Sequence, residues 1–261
     1  MPKFNDIDLE NWKDSEVWTD SLWVIPERDK SGKHDGFYHG NFVPQIPHQL
    51  ILRYSKKNDV VMDPFVGSGT AAYEAESLGR NFIGIDIKED IIKHVEEKLD
   101  SKRNFLKLLT GDSGDKKTFL KVQNILEENN KNNVQLAILH PPYADIIKFS
   151  DHREDLSNAT SLKAFLEKFS GVLENTISVL AKDGYLAIII GDKYTQGQWI
   201  PLGFYCMAEA QKLGLTLKSV IVKNMGGNRA KQNKESIWRY RALSSDYYIF
   251  KHEYIFIFKN I

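Results

Sequence analysis

The sequence predicts an α/β protein built around one mostly parallel sheet. Three observations carry that expectation. Apolar runs of strand length alternate with stretches of helical periodicity. Two of the apolar runs end in turns marked by glycine or proline. A chain of 261 residues with 42% hydrophobic content suffices for one compact domain with a small elaboration.

Residues 1–43 form an irregular arm in which Trp12, Trp18, Trp23, Phe37 and Tyr38 follow no clean period. Such aromatics are expected to anchor the arm on the main domain rather than to stack on bases. The segment containing Phe42, Pro44 and Gln45 leads to a helix over 49–54, with Pro47 suited to its first turn. Residues 59–63 read as a buried strand and 70–78 as a helix. Asp63-Pro64-Phe65-Val66-Gly67-Ser68-Gly69-Thr70 is therefore the turn between them. Gly67 and Gly69 are expected to let a ligand approach the backbone where the helix start offers unpaired N–H groups. A dinucleotide turn would need a third glycine where Ala72 stands, and no Walker-type lysine is present. The next strand, 81–86, ends in Asp86, placed to accept both hydroxyls of a ribose.

Ile91, Ile92, Val95 and Leu99 mark one face of a helix over 88–100, with His94 turned to solvent. A strand over 105–109 runs into Thr110-Gly111-Asp112-Ser113. Asp112 reads there either as a turn acid or cap before the helix 116–127, or as a ligand contact. A polar loop over 127–133 precedes the strand 134–139, which His140-Pro141-Pro142-Tyr143 terminates. The two prolines fix φ and remove two N–H donors, leaving carbonyls available and an aromatic ring at the strand's carboxyl edge. A polar loop with Phe149 and His152 follows and is placed as a lid. Next comes a helix over 161–181 closed by Gly184, then a strand over 185–190 ending in Gly191-Asp192. A helix runs to Leu213. Two final strands, 215–222 and 253–258, flank a connection carrying Lys223, Arg229, Lys231, Lys234, Arg239 and Arg241 interleaved with Trp238, Tyr240, Tyr247 and Tyr248. That mixture suits phosphate contact with base stacking, and Met225-Gly226-Gly227-Asn228 suggests a movable loop.

The two turn motifs together resemble those of the DNA amino-methyltransferases, S-adenosylmethionine-dependent enzymes that modify the exocyclic amine of adenine or cytosine. Asp-Pro-Phe-x-Gly-Ser-Gly-Thr is matched at every fixed position, and (Asp/Asn/Ser)-Pro-Pro-Tyr at Pro141, Pro142 and Tyr143. His140 departs from the pattern. The resemblance implies a single Rossmann-like methyltransferase domain over 44–261, with a mostly parallel seven-stranded sheet closed by a reversed C-terminal hairpin and a basic insertion at about 223–251. It implies cofactor binding by Asp63, Pro64, Phe65, Gly67, Ser68, Gly69, Thr70, Asp86 and Asp112. Phe42, Pro44 and Gln45 would cover the cofactor's methionine end, and Gly191-Asp192 would help shape the base pocket. The glycine turn precedes Pro-Pro-Tyr here, whereas many relatives carry the reverse order; such enzymes are circular permutants of one sheet.

The implied catalytic set is His140, Pro141, Pro142 and Tyr143. A neutral His140 and the Pro141 carbonyl would accept the N–H bonds of the target amine, while Tyr143 stacks on a flipped-out base. The chemistry requires neither a metal nor a covalent intermediate. A neutral imidazole, like the serine hydroxyl of cytosine-modifying relatives, brings no charge, which tilts the expected target to cytosine. The implied partner is double-stranded DNA. No large recognition domain is expected within these 261 residues, which leaves room for a cognate restriction endonuclease or a separate recognition subunit.

The remaining composition sets bounds. Lys plus Arg equal Asp plus Glu at 35 each, so net charge gives no support for a nucleic-acid partner. The single Cys206 excludes an internal disulfide, is expected in the core, and does not follow a proline as a carbon-5 cytosine methyltransferase nucleophile would. No signal region or membrane-length run is visible, and a cytoplasmic protein is expected. Three rival classes remain open: an RNA or protein-glutamine methyltransferase, a catalytically decayed nucleic-acid-binding module, and a nicotinamide-binding domain.

Overall fold

The computed structural model describes residues 4–34, 41–100, 104–143, 149–225 and 235–261. In chain order the elements are β1 (Leu22–Trp23), α1 (Gln45–Tyr54), β2 (Val60–Asp63), α2 (Thr70–Ser77), β3 (Asn81–Asp86) and α3 (Glu89–Glu96). Then follow β4 (Leu106–Thr110), α4 (Lys116–Glu128), β5 (Val134–Leu139), α5 (Leu162–Val179) and β6 (Leu180–Ile190). A small hairpin, β7 (Lys193–Thr195) and β8 (Gln198–Ile200), leads to α6 (Leu202–Lys212), β9 (Thr216–Asn224), α7 (Glu235–Leu243) and β10 (His252–Lys259).

The main sheet has the order β1-β9-β10-β6-β5-β2-β3-β4. The seven expected strands are all present, and the two-residue β1 of the arm adds an eighth at the β9 edge. β10 alone is reversed, pairing antiparallel with both β6 and β9. The chain winds outward from β2 through β3 to β4, then returns to place β5 and β6 on the other side of β2. The gap between β2 and β5 is thus the point where strand order reverses, and ligands of open α/β sheets bind at the carboxyl ends flanking such a point.

The central strands are buried on both faces, so their residues alternate between two cores. Met62, Ile83, Ala137, Leu139, Ile188 and Phe256 pack with residues of α4, α5 and α6. Val61, Phe82, Ile138, Ala187, Ile189 and Ile255 pack with residues of α1, α2 and α3. Cys206 lies fully buried in the first core, and burial raises its thiol pKa, consistent with packing.

Several local expectations are revised. Gly184 does not close α5. The helix ends at Val179 and β6 starts at once, with Asp183 at φ +63° and Gly184 inside the strand, where a side chain would meet the Ala181 carbonyl at 2.9 Å. α1 starts earlier than expected, at Gln45, so Pro47 still falls in its first turn. His94 is half-buried beside Val95 rather than turned to solvent. In the arm, Trp23 is buried and meets Trp18 edge-on at 5.1 Å, as anchors should, whereas Trp12 is exposed. Phe37 and Tyr38 lie outside the described residues. The arm is further tied down by Glu74 of α2, whose carboxylate bridges His34 at 2.6 Å and His48 at 2.8 Å. No helix among the described residues is long and apolar enough to cross a membrane.

Candidate active site

The glycine turn leaves β2 at Asp63, whose side chain is completely buried. One carboxylate oxygen accepts the Phe65 N–H at 2.8 Å; the other, Oδ2, has no hydrogen-bond partner. Burial, reinforced by the charge of Asp86, pushes the Asp63 pKa up to about 8. A buried polar atom left unmatched in this way is costly unless a ligand completes it.

Asp86 ends β3 beside the turn. Its two oxygens accept the Gly67 N–H and the Lys88 N–H, each at 3.0 Å. Burial raises its pKa against those two bonds. A carboxylate has about four acceptor sites, so two remain for a diol. The turn is braced on both sides: the Val66 N–H donates to the Ile85 carbonyl at 2.9 Å, and the Ser113 hydroxyl donates to the Pro64 carbonyl at 2.7 Å. Asn41 of the arm donates to Ser68 Oγ at 3.0 Å, and Ser68 Oγ lies 3.3 Å from the hydroxyl of Thr70, which opens α2.

The two glycines have different reasons. Gly69 sits at φ +79°, and a Cβ there would come within 2.5 Å of Val95, so its small size serves the packing of α3. Gly67, at φ +45°, is left-handed and donates to Asp86. Asp112 forms a local turn by accepting the Gly114 N–H at 2.7 Å through one oxygen, while Asp115 caps α4. Burial raises the Asp112 pKa.

The second motif leaves β5, the parallel neighbour of β2. Adjacent strands lie about 4.8 Å apart, so the two motifs emerge side by side at one sheet edge. His140 and Tyr143 meet there, with the phenol oxygen 3.5 Å from His140 Nε2. Phe42 packs edge-on against His140, ring centres 4.9 Å apart. Burial lowers the His140 pKa to about 4, partly offset by the charge of Glu253, so the imidazole is neutral at pH 7. The Tyr143 ring lies over Gly191, where a Cβ would approach to 3.0 Å. Its hydroxyl donates to Glu253 Oε2 at 2.7 Å, and Lys223 donates to Glu253 Oε1 at 2.8 Å. Burial and the neighbouring carboxylate hold the Tyr143 pKa well above its ordinary value.

Glu253 is the neighbour of the candidate site that sequence reading missed. Lys223, expected among the basic residues of the connection, is instead a buried strand residue of β9 directly opposite Glu253 of β10. The signal that could have found the pair was a charge in each of two strand-length apolar runs. Of the other basic residues, Arg239 and Arg241 are exposed on α7, Arg241 stacking over Trp238 at 5.4 Å. Arg229, Lys231, Lys234 and the loop 226–228 lie outside the described residues, as do 144–148 of the expected lid.

Asp192 holds structure at this edge, accepting Trp199 Nε1–H at 3.0 Å and the Gly203 N–H at the start of α6 at 3.1 Å. Tyr194 and Trp199 of the small hairpin pack on Tyr247 and Phe250. Gln45 spends its amide on the arm backbone at Glu27 and Asp29. A cavity of about 720 Å³ lies elsewhere, lined by Asp29, His34, His48, Glu74 and Asn104 among others, and by neither motif. Among the described residues no group of three or more His, Cys, Asp or Glu side chains is arranged to hold a metal ion.

A family model described as DNA methylase matches residues 3–97 and 134–260. Two curated relatives are the Type II methyltransferase M2.LlaDCHI of Lactococcus lactis subsp. cremoris and the Type II methyltransferase M.HinfI of Haemophilus influenzae. The first is 40% identical over 100 residues, 38% of this chain and 34% of that protein. The second is 42% identical over 86 residues, 32% of this chain and 23% of that protein. The matched part thus spans about a third or less of these relatives' length. Among solved structures, TrmN from Thermus thermophilus superposes with TM-score 0.51 at 18% identity, covering 85% of this chain and 50% of that one. A SAM-dependent methyltransferase from Methanosarcina mazei gives TM-score 0.52 at 12% identity, covering 81% and 97%. These likenesses establish the Rossmann-like fold.

Proposed function

Given that the chain belongs to the DNA methylase family, we propose that it methylates an exocyclic amino group, cytosine N4 or adenine N6, of a base flipped out of double-stranded DNA. The observation that carries this reading is the emergence of a neutral His140 and a protonated Tyr143 at the same sheet edge as the open Asp63–Asp86 turn.

The turn fits S-adenosylmethionine. Asp86 retains acceptor sites for the two ribose hydroxyls, and the orphaned Asp63 Oδ2 suits a cationic or N–H group of the methionine portion. Phe65, Gly67, Ser68 and Thr70 would line the same cradle, and Pro64 is held by Ser113. When bound, that cofactor supplies an electrophilic methyl group on a sulfonium.

The rest is the work of this chain's residues. A nucleobase amine is a poor nucleophile because its lone pair is delocalised into the ring. His140 and the Pro141 carbonyl accept its N–H bonds, which localises that pair. Tyr143 offers its ring face to the extruded base. Holding amine and methyl donor in line supplies much of the acceleration, since an oriented pair reacts as though at very high concentration. Sequence recognition falls to the arm, the loop after Tyr143, the basic connection around Arg239 and Arg241, or a partner such as a restriction endonuclease or recognition subunit.

The test is incubation of unmodified genomic DNA, in parallel with RNA and with protein, with labelled S-adenosylmethionine, followed by nucleoside and amino-acid analysis. Label in N4-methylcytosine or N6-methyladenine is expected. Label confined to RNA or protein would overturn the substrate, and no turnover with measurable cofactor binding would indicate a decayed site.

A further inference from the structure

We propose that Glu253, anchored by Lys223, fixes the tautomer of His140 through Tyr143, so that Nδ1 presents its lone pair to the target amine. The inference rests on the reading above only in assigning that amine as what Nδ1 meets; the tautomer itself follows from geometry.

A phenol has one proton to donate. The Tyr143 hydroxyl gives it to Glu253 Oε2 at 2.7 Å, since a carboxylate paired with an ammonium is an acceptor only. Toward His140 the phenol oxygen can then only accept. The atom facing it is Nε2, at 3.5 Å, a long approach of the kind that tightens when a site is filled. The proton of the neutral ring therefore belongs on Nε2. Nδ1 is left bare. With the opposite tautomer, Nδ1–H would confront the amine's own N–H groups, donor against donor. The logic is that of a buried carboxylate that keeps an imidazole in its working tautomer, here relayed through a phenol.

The surroundings make the arrangement rigid. Lys223 and Glu253 are cross-strand partners in β9 and β10, so backbone register places the pair at the sheet edge. Both are buried, and a buried ion pair is a poor source of stability compared with apolar residues of similar size. Its place beside Tyr143 gives it another purpose. Gly191 admits the Tyr143 ring, and Phe42 restrains the His140 ring edge-on. Glu253 thus acts as a positioning residue, and Lys223 holds its carboxylate in orientation.

The test uses the full chain labelled with 15N-histidine, read by long-range 1H–15N correlation without ligand at pH 7.5, the His140 signals being assigned by their loss in His140→Asn. The parent is expected to show a protonated Nε2 and a bare Nδ1. Glu253→Leu/Lys223→Met frees the Tyr143 proton to turn toward Nε2, and a marked shift to the Nδ1–H form is expected. Tyr143→Phe, which removes only the phenol oxygen, should relax the preference as well, and serves if the double variant does not fold. With DNA and S-adenosylmethionine, the double variant should lose at least about tenfold in kcat with KM for the cofactor unchanged. In a His140→Asn background, where a carbonyl accepts without any tautomer, the same double change should cost less. An Nδ1–H form in the parent, or a tautomer unmoved by both the double variant and Tyr143→Phe, would overturn the proposal. A parent with the expected tautomer that methylates no DNA would support it while refuting the functional reading.

Discussion

The two halves of the candidate site are built in different ways. The glycine turn is assembled from neighbours: Asp63 binds the Phe65 N–H two residues on, and Asp86 reaches Gly67 across one β-α-β unit. The His140–Tyr143 half is completed from far away, Tyr143 bonding Glu253 at a separation of 110 residues. The first half leaves a polar atom open, Asp63 Oδ2, whereas the second has its Tyr143 hydroxyl and Glu253 carboxylate engaged. A half with an unpartnered buried oxygen suits capture of a polar ligand. A half whose groups are already oriented suits control of a reacting atom.

The comparison predicts that the halves separate cleanly on mutation. Tyr143→Ala removes the stacking face and should lower kcat by up to about two orders of magnitude, the scale of base–aromatic stacking. Cofactor affinity by calorimetry should stay within about twofold, and a large loss there would mean that the two halves are one coupled unit. Asp86→Ala should do the reverse, weakening S-adenosylmethionine binding by about 1.5–3 kcal/mol through loss of charge-assisted bonds. Unchanged affinity in a folded Asp86→Ala protein would move the cofactor elsewhere.

Proton linkage sharpens the contrast. Asp63, with its pKa raised to about 8, is protonated at pH 7 in the ligand-free protein. A group raised in this way contributes stability below its unfolded value, and that contribution is lost as pH rises through about 8. A cationic ligand favours the ionised form, so cofactor binding should release close to one proton at pH 7 (about one, by linkage), read by calorimetry in buffers of differing ionisation enthalpy. Affinity should rise with pH until it levels near 8. Asp63→Asn should abolish the release; a release that persists would assign it to another group. His140 behaves oppositely. Its folded pKa near 4 lies below the ordinary histidine value, so kcat/KM, which reports the free enzyme, should show no inflection near pH 6.5 from this residue and should fall only as pH drops toward 4.

The smallest effect is expected furthest from both halves. Arg239→Ala with Arg241→Ala removes two exposed charges from α7 and should flatten the salt dependence of DNA binding by no more than about 1.8 in log–log slope. Cofactor affinity should not move. An unchanged slope would take α7 out of the DNA-binding surface.

Much of this protein was legible in the sequence because its determinants are local. Alternating strand and helix periods, the glycine turn and Asp86 at the next strand end depend on residues within about one β-α-β unit. The same locality exposed His140-Pro141-Pro142-Tyr143, since two prolines can only stop a strand. Reading failed where meaning depends on register. Gly184 looked like a helix stop, but α5 and β6 meet without a loop at Val179 and Leu180, and the glycine falls inside the strand. Lys223 looked like one of a run of surface charges, and Glu253 looked like nothing at all.

By itself, then, the sequence determined the fold class, the two motifs and their place at strand ends, because backbone propensity and apolar period act over short spans. Only the tertiary structure decided that Lys223, Glu253, Tyr143 and His140 form one chain of contacts, and that Asp63 keeps a buried oxygen without a partner. Which side chains face one another across β9, β10 and β6 is set by hydrogen-bond register between segments far apart in sequence, and a shift of one residue would turn Glu253 to the opposite face.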